Sequence, residues 1–137
     1  MKRRIIITQE DMEKLKKLVD MEIDDAKNKP HVIDLENELK RAEIVDKNRV
    51  PQDVITMNTT VSLSIDGSQE AVCLVYPQEA DVSNNKISVL SPIGTAIIGY
   101  REGDTVEWSV PSGTIKIEIE KVLSQPEASE KAAQSDL

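Results

Sequence analysis

This 137-residue sequence contains no phenylalanine, one tryptophan and two tyrosines. So few rings leave no platform on which successive bases of a single-stranded nucleic acid could stack. One cysteine, Cys73, excludes an internal disulfide; in a strand-like run it is expected as a buried, reduced thiol acting as a small hydrophobe. No run approaches the roughly 20 apolar residues of a membrane-spanning helix. Ile5, Ile6 and Ile7 after Lys2, Arg3 and Arg4 form too short an apolar run for a secretory signal. A cytoplasmic protein without a membrane partner is expected. The single histidine, His31, has no Cys or His neighbour to share a metal with, and the sequence has no phosphate loop, dinucleotide turn or Ser-His-Asp spacing. No metal, no cofactor and no enzyme of those classes is expected.

Positive charge is also scarce, with 17 Lys/Arg against 25 Asp/Glu and a net charge of −8. Residues 1–50 hold 12 of each sign, so the whole excess falls on residues 51–137, with 5 basic and 13 acidic side chains. An acidic region repels phosphate backbones, which excludes direct binding to DNA as a working expectation and favours a basic protein surface as partner.

What is present is aliphatic: 39% of residues are hydrophobic, enough for one domain or a small domain with an appendage. Thr8 is placed to cap a helix, with Glu10 and Asp11 in its first turn and Asp11 at the capping-box position. Met12, Leu15, Leu18, Val19 and Ile23 recur at three- and four-residue spacing. They predict a helix over residues 9–27, roughly 28 Å long at ~1.5 Å per residue. Pro30 closes it and opens a second helix reaching residue 45 or 46, with Val32, Leu35, Leu39 and Ala42 as an a/d seam. Glu36 and Lys40 make a favourable pair, and Asp34, Glu36 and Glu38 read as a solvated face. Helices joined by so few residues are antiparallel neighbours whose seams bury each other. Ile5, Ile6 and Ile7 are placed to add a strand, to this chain's own sheet or to another chain.

Residues 46–52 read as a linker, with Pro51 holding Val50 extended. Alternation of Ile55, Met57, Thr59, Val61, Leu63 and Ile65 predicts a strand over residues 54–65. Asp66-Gly67 is a hairpin signal, and residues 70–76 pair back. The β region is organised around residues 87–113. A short strand leads to Ser91, a cap, then to Pro92 at the first helical position. A short apolar helix is stopped by Gly99. Arg101-Glu102-Gly103-Asp104 turns into a strand at 105–110, and Pro111-Ser112-Gly113 turns into another at 114–122. Residues 127–137 are small and charged, an expected frayed tail.

Several blocks resemble the regulator-of-nucleoside-diphosphate-kinase family. They are Val50-Pro51-Gln52-Asp53-Val54-Ile55-Thr56-Met57-Asn58, Leu74-Val75-Tyr76-Pro77 and Ser91-Pro92-Ile93-Gly94-Thr95-Ala96-Ile97-Ile98-Gly99. Gly103-Asp104 and Pro111-Ser112-Gly113 complete a match over residues 6–126. The Ser-Pro-Ile-Gly and Gly-Asp blocks are shared with Gre-type transcript cleavage factors. The resemblance implies an α+β fold: a short N-terminal antiparallel coiled-coil hairpin over residues 1–49 and a C-terminal FKBP-like antiparallel β domain with a short helix over residues 50–126. It also implies a partner, bacterial RNA polymerase. In the Gre-type relatives the β domain docks at the rim of the secondary channel, and acidic residues at the coiled-coil tip help hold a catalytic magnesium.

Carried onto this sequence, the tip acids are Asp24 and Asp25, adjacent carboxylates that suit a hard cation. The spaced acids of the cleavage-factor tip are not reproduced, and the hairpin is shorter than that arm. The docking residues are Ser91, Pro92, Ile93, Gly94, Gly99, Glu102 and Asp104, with Glu107 extending the negative rim. The expectation is a monomeric, non-enzymatic polymerase-binding transcription regulator without efficient transcript cleavage. Its rivals are a Gre-like cleavage-stimulating factor and an FKBP-like interaction module with no link to polymerase. Prolyl isomerisation is excluded because that chemistry needs an aromatic-lined pocket, which Trp108 alone cannot build.

Overall fold

The chain begins with a strand made from the isoleucine arm. In the structure, a computed structural model describing residues 5–25 and 29–126, β1 (Ile6–Thr8) runs into α1 (Gln9–Glu22). Thr8 Oγ1 accepts the Asp11 N–H at 3.1 Å, the expected cap. Helix α1 ends at Glu22 rather than residue 27, and its 14 residues span roughly 21 Å. Helix α2 (Lys29–Lys40) also ends earlier than expected, and β2 (Glu43–Val45) replaces its last turn. The reason is a tertiary partner: β2 pairs in parallel with β1, and Glu43 N–H donates to Ile5 O at 2.8 Å. The β-branched Ile44 and Val45 suit that extended shape. On the other side of β1, Ile6 N–H donates to Gly99 O at 3.0 Å. The isoleucine arm therefore pairs within its own chain.

The larger sheet contains β3 (Thr60–Ile65), β4 (Ser68–Val75), β5 (Lys86–Ser88), β6 (Thr105–Val110) and β7 (Gly113–Ser124), in the order β5-β4-β3-β7-β6. It is mixed, not antiparallel throughout: β5 lies parallel to β4, with Leu74 opposite Ile87. A parallel neighbour needs a crossover, and residues 76–85 supply it with two 3₁₀ turns, Pro77–Glu79 and Val82–Asn84. The expected strand over 54–65 survives only as β3. Val54 makes only an isolated antiparallel bridge to Arg101, Asn58 has φ +66°, and Thr56 N–H donates to Thr59 Oγ1, so residues 56–59 turn instead of extending. Asp66 and Gly67, at φ +48° and +89°, form the expected β3–β4 hairpin turn.

One face of the sheet is buried. Val61 and Leu63 on β3 and Ile117 and Ile119 on β7 point inward, while Ser62, Ser64, Glu118 and Glu120 alternate outward. Cys73 is a free thiol only half buried, not fully buried as expected. The helical seams do not bury only each other. Met12, Leu15, Val19, Val32, Leu35 and Leu39 belong to the same hydrophobic cluster as Val61, Leu74, Ile97, Ile117 and Ile119. Asp11 fastens the hairpin to the β region, its Oδ2 accepting Met57 N–H at 3.1 Å. The expected tail at 127–137 lies outside the described residues, as do residues 26–28.

Candidate functional site

The site is built on α3 (Pro92–Ile97), the short helix between β5 and β6. Ser91 caps it twice over. Its Oγ accepts Gly94 N–H at 3.1 Å and donates to Ser88 O at 2.6 Å, tying the helix start to the end of β5. Thr95 Oγ1 donates to Val89 O at 2.6 Å beneath the helix. Pro92 is exposed, and Ser91 and Ile93 are half buried. Gly94 is buried, and a Cβ there would sit 2.1 Å from Ser88 O. Gly99 is buried at φ +82°, where a Cβ would sit 2.6 Å from Ile5 Cβ.

The following turn is held from several sides. Asp104 is only 5% exposed, and its Oδ2 accepts Arg101 N–H at 2.9 Å. Arg101 makes a two-pronged contact with Asp53, at 3.0 and 3.2 Å. Glu102 is exposed and accepts Val122 N–H at 2.7 Å. Of the seven docking candidates, Ser91, Pro92, Ile93 and Glu102 therefore present surface, with exposed Glu107 beside them in sequence on β6. Gly94, Gly99 and Asp104 shape that surface from within.

The hairpin tip is not remote from this helix. Pro30, His31 and Asp34 at the start of α2 line one cleft of about 150 Å³ together with Pro92, Trp108 and Pro111. Asp24 and Asp25 follow α1 and are exposed. Among the described residues no group of three or more His, Cys, Asp or Glu side chains is placed to hold a metal ion. Nor is any helix among them long and apolar enough to cross a membrane.

A polar clasp joins the helices to the chain just after α3. Glu38, expected on a solvated face, is only 4% exposed. Arg41 Nε donates to Glu38 Oε2 at 2.7 Å, and its Nη2 donates to Tyr100 Oη at 2.6 Å. The guanidinium carbon also lies 5.7 Å from the Tyr100 ring centre. The Glu38 hydrogen bond raises the Arg41 pKa. Burial raises the Tyr100 hydroxyl above its ordinary 10.0, against the lowering pull of Arg41. A raised tyrosine pKa means that the fold holds the proton more tightly than the unfolded chain does. This contribution is complete below about pH 10 and is lost as pH rises through the folded value. Denaturation midpoints are expected to fall above that pH, with a shallower fall in Tyr100→Phe.

The sequence comparisons divide at the same point as these two parts. A model described as Rnk N-terminus matches residues 3–45, and one described as the C-terminal part of transcription elongation factor GreA/GreB matches residues 50–124. The regulator of nucleoside diphosphate kinase from Escherichia coli K12 is 38% identical over 69% of this chain and 71% of its own length. The chain belongs to the Rnk family of Gre-related proteins. This Rnk-family chain is also 44% identical to transcription elongation factor GreA of Clostridium botulinum, over 74% of this chain and 68% of that one. A solved structure from Nitrosomonas europaea, named as a prokaryotic transcription elongation factor GreA/GreB, superposes with a TM-score of 0.72 at 39% identity, covering 88% of this Rnk-family chain and 100% of its own.

Proposed function

We propose that this chain is a monomeric, non-enzymatic, cytoplasmic transcription regulator that binds bacterial RNA polymerase and does not support efficient transcript cleavage. Its β region, read as an FKBP-like domain, docks at the rim of the secondary channel through Ser91, Pro92, Ile93 and Glu102. Family membership supports the transcription role, since the relatives are named as transcription elongation factors or as a regulator of nucleoside diphosphate kinase. One observation carries the second half of the reading. The start of α2 lies back against the docking helix, with Pro30 and His31 sharing a cleft with Pro92. A hairpin of two helices of roughly 21 and 18 Å, the second held in that position, is not an arm that extends far beyond its own docking surface.

Stalled elongation complexes decide the matter. Incubated with this protein, they are expected to keep their RNA 3′ ends intact, and cleavage driven by an added Gre factor is expected to fall as the two compete. Shortened RNA that disappears with Asp24→Ala or Asp25→Ala would establish the rival reading, in which the tip carboxylates complete a magnesium site.

A further inference from the structure

The cleft between the two halves of the chain has an unusual wall. Pro30, Pro92 and Pro111 come from three separate elements or turns, and Trp108 stands half buried among them on β6. Its volume, about 150 Å³, is below the few hundred Å³ of an ordinary small-molecule site and suits one inserted side chain. Asp34 on α2 is the carboxylate in the lining, is exposed, and has no ion pair among the described residues.

We infer that this cleft is a socket for a single arginine side chain of the protein partner. The inference rests on the polymerase-docking reading and names its anchor. Three chemical features select arginine. The flat proline and indole rings, in a wall that also includes His31, Thr95 and Ser109, match the planar guanidinium and its aliphatic stem, and the indole adds cation–π attraction. The carboxylate of Asp34 takes the guanidinium fork, whereas an apolar anchor would cover that charge without a partner. Lysine satisfies the charge but not the flat walls. Proline rings are already ordered, so closing on the side chain loses little freedom. Residues 51–137, with 5 basic and 13 acidic side chains, favour a basic partner around the socket. The socket also explains why a hairpin too short to reach far is useful where it is: α2 contributes Pro30, His31 and Asp34 to a surface whose other wall the β region builds.

Trp108 is the single tryptophan, so 5-fluorotryptophan labels this position alone. The fluorine resonance is expected to move when core RNA polymerase is added. Millimolar N-acetylarginine amide is expected to move it also, and N-acetyllysine amide at the same concentration much less. In a polymerase-binding assay, Trp108→Ala and Asp34→Asn are each expected to weaken affinity about tenfold, and Asp34→Glu less than threefold. The double variant should lose less than the product of the two single losses, because both groups grip one side chain. Asp34 is on the surface, so its variants report even if Trp108→Ala unfolds. Polymerase affinity untouched in folded Asp34→Asn and Asp34→Lys overturns the socket and leaves the docking reading standing. Failure of the unaltered chain to bind polymerase overturns both.

Discussion

Arg41→Ala is expected to lower stability by about 3 kcal/mol in equilibrium urea denaturation, the lower end of the range for breaking a buried ion pair. The loss comes mainly from what is left behind. Glu38 is 4% exposed, and without the guanidinium its carboxylate loses the 2.7 Å hydrogen bond and the positive charge beside it. Arg41 itself retains partial contact with water, which holds the effect below the upper end of that range. The decisive control is the double variant Glu38→Met with Arg41→Met. If the penalty is an uncompensated charge, replacing both groups with apolar ones should recover most of the loss. If the double variant is as unstable as the single one, the clasp matters through the geometry it gives Tyr100 and not through its charge. Amide hydrogen exchange adds a spatial readout: protection of α2 should fall in Arg41→Ala before that of β3 and β7, since the clasp joins the hairpin to Tyr100 and not to the sheet centre.

Gly94→Ala should be at least as damaging, at about 3 kcal/mol or more, for a different reason. The new Cβ would lie 2.1 Å from Ser88 O and 2.9 Å from Ser88 C. These are backbone atoms, and Ser91 Oγ already holds the same carbonyl at 2.6 Å, so relief requires moving α3 away from β5. Gly103→Ala is the matched comparison. Gly103 has φ +87° but nothing within 4 Å of its added Cβ, so only the left-handed conformation is penalised, by roughly 1–2 kcal/mol. Thermal and urea denaturation of the two variants separate crowding from backbone strain. A Gly94→Ala protein as stable as Gly103→Ala would mean that α3 can lift off β5 at little cost, and the surface at Ser91 to Ile93 would then be adjustable instead of fixed.

The parts of this structure that sequence reveals are those governed by near neighbours. Thr8 and Ser91 each cap a helix through an N–H three residues on, and Asp66-Gly67 turns through its own backbone angles. Such signals sit inside a window of a few residues. The misread parts have distant partners. Residues 43–45 continue a helical pattern until Ile6, Ile7 and Thr8 claim them as a strand. Glu38 looks solvated until Tyr100, 59 residues beyond Arg41, completes a pocket around it. The parallel placing of β5 has no local mark at all, because the crossover at 76–85 resembles any polar loop. Alternation at 54–59 correctly marks Ile55 and Met57 as buried, yet this stretch is a short bridge to residues 99–101 followed by a turn and not a continuous strand. The candidate site was legible as a motif at 91–104. Its closeness to Pro30, His31 and Asp34 was not, since that depends on how the hairpin folds back.

Strand β1 also imposes an order of events on biosynthesis. It leaves the ribosome ahead of every element it binds. The backbone of Glu43 must emerge before one edge can close, and that of Gly99 before the other can. A nascent chain that has reached only residue 50 can pair β1 with β2, but it exposes Ile5 on the side where Gly99 will later press. Completion of the short helix α3 thus also completes the pairing of β1, and a product truncated before Gly99 would carry an isoleucine-rich segment open to other nascent chains and to chaperones.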